Sequence, residues 1–375
     1  MLVIIFYLAL FLTIYTYIIF PVLLFIITKI FNEEDEKVQQ DIKDEPRVAV
    51  ICAMYNEEKI VRNKIDNFLN LKYRNIKFYI GSDGSNDKTN LILKQYSTNN
   101  KIIVYEFPRR GKVYVINDLI SKANADILVF TDANSMFKND AIQHLLKHFS
   151  NKKTGVVCGR LKLIKKGQTS GEGFYWHYET AIKKLESIFS CVMGANGAIY
   201  AIRKKLVAPI SINTINDDFI ISMRVLERGY GIVFEENAVA HEEINHDDSV
   251  EFRRHIRDGA GHYRALFHLY RLLNPLKLKI FFLYVSHRVI RWFVPMFLIL
   301  MLICPIFIKE CILIKLLFVV EVIFYFLAVM GWLTKTKSKV FYIPYYFIYI
   351  NIALLFGFCR NILGIQKATW NSTAR

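Results

Sequence analysis

Ile127-Leu128-Val129-Phe130-Thr131-Asp132-Ala133-Asn134 is an apolar run that stops on an acid. A short, mostly β-branched or aromatic run reads as a buried strand, which puts the Asp132 carboxylate at the strand's carboxyl end. In an open α/β sheet that edge is where ligands sit. The pattern occurs a second time, because Ser82-Asp83-Gly84-Ser85-Asn86-Asp87 closes the run 76 to 81 in the same way. Working outward, further strand-like runs at 48 to 53, 101 to 106, 155 to 162 and 197 to 202 alternate with helix-like stretches at 57 to 70, 87 to 96, 111 to 122 and 138 to 149. Such alternation predicts an α/β fold, a mostly parallel sheet with helices on its faces. Asn56 stands where the first helix needs a cap and Ser85 or Asn86 where the second does, and helix N-termini attract phosphate.

The 375 residues are 53% hydrophobic and 14% aromatic, with the apolar residues gathered at both ends. Met1 to Thr28 carries no charged side chain. At about 1.5 Å of helical rise per residue that stretch exceeds a hydrocarbon core of roughly 30 Å, so residues 1–30 are expected to be a transmembrane helix. The absence of a basic leading segment and of a small-residue cleavage site argues for an anchor rather than a signal peptide. An acidic linker, 31–45, leads into a soluble-like domain, 46–272. In 277–292, Lys277, Lys279, Arg288 and Arg291 alternate with Phe281, Phe282, Leu283 and Trp292. That pattern suits a helix lying in the membrane interface, or the first turns of a tilted span. Membrane helices are expected over 293–363, in runs 293 to 308, 311 to 333 and 341 to 358, before a tail at 364–375.

Basic residues favour the cytoplasmic side, which places the central domain and the Lys335-Thr336-Lys337-Ser338-Lys339 loop inside. Three full spans would then leave Arg360, Lys367 and Arg375 outside, so 341 to 358, interrupted by Pro344 and Asn351, reads as re-entrant or interfacial. The formal charge of +16 is scattered, with no nucleic-acid-binding signature, which points to anionic lipid and diphosphate rather than nucleic acid. The six cysteines include no C-x-x-C pair and sit mostly in apolar runs, as reduced packing residues do.

In order along the chain stand Tyr55-Asn56-Glu57-Glu58, Asp83-Gly84-Ser85, Arg110-Gly111-Lys112, Thr131-Asp132-Ala133-Asn134, Gly194-Ala195-Asn196-Gly197, Asp217-Asp218 and Arg254-x-x-Arg257. Ser286-His287-Arg288 through Trp292, Pro344-Tyr345-Tyr346 and Gln366-Lys367-Ala368-Thr369-Trp370 follow. This series resembles the membrane-embedded family-2 glycosyltransferases with a GT-A fold, to which cellulose, hyaluronan and poly-N-acetylglucosamine synthases belong. The resemblance implies a Rossmann-like cytoplasmic domain flanked by transmembrane helices in a multi-pass cell-membrane protein. It also implies transfer of a hexose-type or N-acetylhexosamine residue from a UDP-linked or other nucleotide-diphosphate sugar to a polysaccharide or lipid-linked acceptor, with inversion and with Mg²⁺ or Mn²⁺. A catalytically inactive, membrane-anchored nucleotide-sugar sensor is the alternative, and the intact acids and Arg257 argue against it.

Carried over residue by residue, the resemblance puts Tyr55 and Glu57 beside the nucleoside, Asp83 on the base N–H, and Lys112 and Arg257 on the diphosphate. An ionised carboxylate is acceptor-only, a lysine is a mobile point charge, and a guanidinium offers paired donors to phosphate, so each role is chemically permitted. Taken singly, Asp83 would be an Asx-type turn and Lys112 a solvated helix start. Asp132 is implied as metal ligand, with Asn134 replacing the second acid of the usual D-x-D pattern; its amide oxygen is still a hard donor. Asp218 is implied as general base, Asp217 as an orienting or dipole-complementing acid, and Asn196, Gly197 and Arg254 as acceptor-side or orienting residues.

The family's Gln-x-x-Arg-Trp pattern is broken here, with Arg254 for Gln and Asp258 for Trp. Polymer synthesis with export and transfer of a single sugar therefore both fit. Trp176, His177, Tyr178 and Glu179 offer either an acceptor-stacking aromatic or core packing. His241-Glu242-Glu243 reads as an ordinary polar turn rather than a metal site.

Overall fold

The computed structural model describes residues 1–30, 45–164, 174–243, 248–308, 310–336 and 338–366. The acidic linker falls outside these apart from Glu45, and the tail from Lys367 onward does so entirely. The described residues form two compact units, one within Met1–Phe25 and Asp247–Gln366 and one within Ile26–His246.

The second unit is built on β1 (Val48–Met54), α1 (Val61–Leu69), β2 (Ile76–Asp83), α2 (Thr89–Gln95), β3 (Ile102–Phe107), α3 (Lys112–Lys122) and β4 (Ile127–Phe130). After these come β5 (Met136–Phe137), α4 (Ala141–Leu146), β6 (Thr154–Ile164), α5 (Phe174–Phe189), β7 (Tyr200–Arg203), α6 (Asp217–Glu227) and β8 (Gly231–Glu243). The eight strands form one sheet in the order β3-β2-β1-β4-β7-β6-β8-β5. All seven residues of β1 are buried, as expected of a central strand covered on both faces. Val50, Cys52, Phe78, Ile80, Val129 and Ala201 meet Ile65, Phe68, Leu145 and Phe149 in one core. Each large aliphatic or aromatic side chain so buried contributes about 1.5–3 kcal/mol.

The sheet is mixed. β3-β2-β1-β4 and β6-β8 pair in parallel, as the strand–helix alternation predicts. β7 runs antiparallel to both β4 and β6, and β5 antiparallel to β8. The reversal at β7 positions the site: Phe130 lies opposite Tyr200, so the segment entering β7 arrives beside the carboxyl end of β4. β8 has no counterpart in the sequence reading. Its run is interrupted by Glu235-Glu236-Asn237, and it pairs with β6 across an irregularity between Gly159 and Arg160. His241 is consequently a strand residue opposite Met136, and the expected polar turn is corrected.

The capping assignments are corrected too. α1 begins at Val61, and Asn56 instead sits at φ 53°, its N–H donating to Ser85 Oγ (3.1 Å) and its Oδ1 accepting from Asn86 N (3.0 Å). Asp87, not Ser85 or Asn86, accepts from the first amide of α2, at 2.9 Å. Those side chains zip the loops after β1 and β2 together, and that outweighs a local cap.

Among the described residues, four helices are long and apolar enough to cross a membrane: Leu2–Ile30, Leu278–Phe307, Ile312–Thr334 and Lys339–Ile362. Leu278–Phe307 runs on without a break at 292, through a π-helical segment at Tyr284–Val289, and Arg291 and Trp292 are buried in it. The stretch 277–292 is thus continuous with the following span. Lys339–Ile362 likewise passes through Pro344 and Asn351 unbroken, so it has no interruption of the kind a re-entrant loop needs. Pro344, in the second turn, gives up one backbone hydrogen bond without ending the helix, and buried Asn351 returns its amide to Phe347 O at 2.8 Å within its own turn. Phe6 and Ala9 pack with Met301, Cys304, Ile308 and Ile314 in a second core.

Candidate active site

Parallel pairing brings the carboxyl ends of β2, β1 and β4 to one edge, and with them Asp83, Tyr55 and Asp132. Asp83 is 1% exposed. Its Oδ1 accepts from Arg110 N (2.8 Å), both oxygens accept from Gly111 N (3.1 and 3.0 Å), and Arg109 Nη1 donates to Oδ2. Gly84, at φ 66°, makes room for this: a Cβ there would stand 2.6 Å from Arg109 N. Arg109 also lies over Tyr55, its guanidinium carbon 3.5 Å from the ring centre. Asp83 therefore anchors the loop before α3, and Arg109 covers the aromatic face expected to meet a nucleoside. Arg109 escapes a reading of the sequence because the pattern lies in its neighbours Arg110-Gly111-Lys112; the available signal is a second cation just before that pattern. Glu57 is buried, with its amide on Thr89 Oγ1 at 2.8 Å.

The anchored loop delivers Lys112 to a cluster of acids. Its Nζ lies 2.9 Å from Asp132 Oδ1 and 3.5 Å from Asp217 Oδ2. Burial alone would lower the lysine's proton affinity, but Asp132, Asp217 and Asp218 together push it above its ordinary value. Asp217 and Asp218 open α6, where carboxylates complement the helix dipole. Asp218 Oδ1 accepts from Phe219 N at 2.8 Å. Its pKa is nonetheless pushed up to about 7, chiefly by desolvation and then by Asp217, with Lys112 and the Phe219 amide pulling the other way. A carboxyl group titrating near neutrality suits proton abstraction.

The segment before β7 completes the cluster. A Cβ on Gly197 would stand 3.0 Å from Asp132 Oδ2 and 3.5 Å from Asp218 Oδ2. Ser222 of α6 fixes that segment, accepting from Ala195 N at 3.0 Å while its hydroxyl lies 2.8 Å from Asp218 O. Tyr200 stacks on Phe130 at 4.8 Å and lines the same hollow as Lys112, Asp132, Gly197 and Asp217. Its hydroxyl has no hydrogen-bond partner among the described residues, and burial followed by the acids holds it firmly protonated. Sequence reading missed Tyr200 because it looks like an ordinary strand aromatic.

Asn196 stands apart. It lines a second hollow with Arg160, Trp176 and Glu179, and its Oδ1 accepts from Ile199 N at 3.4 Å. Arg254 and Arg257 belong to the membrane unit, on the helix Asp248–His268, where Arg257 Nη2 pairs with Asp258 at 3.1 Å. Asn134 follows Asp132 by two residues in a half-buried turn. Among the described residues no group of three or more His, Cys, Asp or Glu is arranged to hold a metal ion. Asp132 nevertheless turns Oδ2 toward space that a Cβ on Gly197 would fill. That donor set fits a hard cation drawing most of its oxygens from phosphate and water.

The mixed sheet, with carboxylates gathered at its strand ends, has the GT-A architecture, and the comparisons with known proteins agree on that fold. Residues 49–206 match the family described as Glycosyl transferase family 2, so that stretch of the chain is a domain of the family-2 kind. It is related to the poly-β-1,6-N-acetyl-D-glucosamine synthase of Staphylococcus aureus, 25% identical over 246 residues, 64% of this chain and 59% of the relative. That of Staphylococcus epidermidis is 24% identical over 201 residues, 51% of this chain and 48% of the relative. The chain thus spans less than two thirds of the length of these curated relatives. Among solved structures, a mannosyltransferase of Pyrobaculum calidifontis in complex with GDP-mannose and Mn²⁺ superposes with a TM-score of 0.70 and 18% identity. It covers 96% of this chain and 99% of its own, and at that identity the likeness is one of fold.

Proposed function

We propose that this chain is an inverting transferase that moves a sugar from a nucleotide-diphosphate sugar, UDP-linked for preference, onto a saccharide or lipid-linked acceptor at the cytoplasmic membrane face. The observation that carries the reading is the convergence of Asp132, Asp217, Asp218 and Gly197 about Lys112. In the step, Asp218 takes the proton of an acceptor hydroxyl while that oxygen bonds to the anomeric carbon. The bond to the diphosphate breaks on the opposite face with its electron pair leaving on phosphate, which inverts the centre. Lys112 offsets the acids and is placed to meet phosphate oxygens. Asp132 and Asn134 would hold Mg²⁺ or Mn²⁺, which when bound supplies Lewis-acid charge to the leaving group. Tyr55 with Arg109, Glu57 and Asp83 form the nucleoside end, and Asn196, Arg254 and Arg257 are assigned to acceptor and diphosphate.

Two candidate spans lie in sequence between the α/β domain and the loop 335–339, and basic Lys335 and Lys339 support the cytoplasmic reading of both. The Arg257–Asp258 pair stands where the synthases use a stacking Trp, which favours short or single-sugar products. A nucleotide-sugar sensor would have no use for a carboxyl group poised near neutrality beside Gly197. The test is nucleoside diphosphate release by the purified protein across a panel of UDP- and GDP-sugars, with and without lipid extract. Release from one donor, dependent on extract, is expected; hydrolysis or transfer from none contradicts the reading.

A further inference from the structure

Lys64, on α1, is 0% exposed in the middle of the apolar core. Its Nζ donates to Thr131 Oγ1 at 2.9 Å and to the Ser135 carbonyl. It also lies 4.7 Å from the ring centre of Phe68 and 5.0 Å from that of Phe137. Among the described residues no carboxylate forms an ion pair with it. Burying an ammonium this way is expensive, and an apolar side chain of the same length would be the stabler filling for such a core. Burial pulls its pKa down to about 8 against the opposing pull of Cys52, Asp132 and Glu242.

What the cation touches explains its presence. Thr131 and Ser135 are the first and last residues of the turn that carries Asp132 and Asn134, so the ammonium clamps that turn at both ends from beneath. Thr131 passes the constraint on, its hydroxyl lying 3.0 Å from Ala198 O and 3.2 Å from Asp132 O. Ala198 adjoins Gly197, whose close approach to Asp132 and Asp218 shapes the site.

We propose that Lys64 is a positioning residue that fixes the Thr131–Ser135 turn and, through Thr131, the Gly197 segment, so that Asp132, Asn134 and Asp218 are presented together. The proposal rests on the transferase reading only for its consequence in metal binding. Supporting groups of this kind typically change metal affinity about 10- to 100-fold when removed.

The test uses full-length Lys64→Met in detergent. Without metal or donor, hydrogen–deuterium exchange should rise about tenfold or more within 131–137 and 196–199 while β1 and β2 keep wild-type protection. Free Mn²⁺, followed by its electron paramagnetic resonance signal in the presence of UDP, should be bound about tenfold more weakly. Unchanged exchange in the two segments, or an equal rise across β1 and β2, overturns the proposal. If Lys64→Met does not fold, Thr131→Val breaks the same bridge with a near-isosteric side chain and must loosen 196–199. A wild type that binds no Mn²⁺ would strike the metal reading, and the exchange pattern would still decide the role of Lys64.

Discussion

A Cβ on Gly197 would stand 3.0 Å from Asp132 Oδ2. The antiparallel entry of β7 beside β4 brings the two residues together, and the absence of a side chain leaves that carboxylate oxygen open. Gly197→Ala should therefore lower kcat/KM by about 10- to 100-fold through displacement of Asp132 or of incoming substrate. The melting temperature should stay within about 2 °C of wild type, because the strain falls on a yielding surface carboxylate. Steady-state kinetics beside a thermal melt check both.

Asp218 gives a pH signature. With its pKa raised to about 7, kcat/KM should climb with pH through an inflection near neutrality as the base loses its proton. The stability effect has the opposite sense. The folded state holds this proton up to about 7, whereas an unfolded aspartate releases it near 3.9, so stability falls as pH rises across that window. Asp218→Asn should melt higher than wild type at pH 8, and the gap should shrink as pH is lowered toward 4. Melts at a series of pH values would show it.

Arg109 lies over Tyr55 and is bonded to Asp83, so Arg109→Ala uncovers one and leaves the other held by the Arg110 and Gly111 amides. A group acting on the nucleoside end alone contributes uniform binding. The donor KM should rise about 3- to 10-fold with kcat little changed. A fall in kcat at constant KM would place Arg109 in the chemistry instead.

Much of this was legible in the sequence. Asp83 ends β2 and Asp132 stands two residues past β4, at the strand ends their apolar runs predict, because a central parallel strand carries its signal locally. β8 was not legible, since its run is broken by Glu235-Glu236-Asn237 and it pairs with residues of β6 far upstream, Thr154 with Gly231 and Ile164 with Glu243, a separation that no local window detects. Lys64 reads as one more polar residue on an amphipathic helix, and only the packed sheet reveals that its face is buried. Asn56 misled for a related reason: its cap chemistry was satisfied by the neighbouring loop at Asn86.

Metal dependence tests the oxygen set. Excess EDTA should abolish transfer, and Asn134→Asp should lower the Mn²⁺ concentration giving half-maximal rate, since a second carboxylate beside Asp132 is a better hard ligand than an amide. Full activity in EDTA removes the metal role. A metal requirement unaltered by Asn134→Ala would leave Asp132 as the protein ligand.

The central claim is that Asp218 is the base, and Asp218→Asn with donor affinity measured alongside addresses it most directly. The amide keeps the shape of the side chain but cannot take up the acceptor's proton. Transfer is predicted to fall about 10²- to 10⁴-fold while the donor dissociation constant stays within about threefold of wild type. Transfer at more than half the wild-type rate, with donor still bound, would contradict the account.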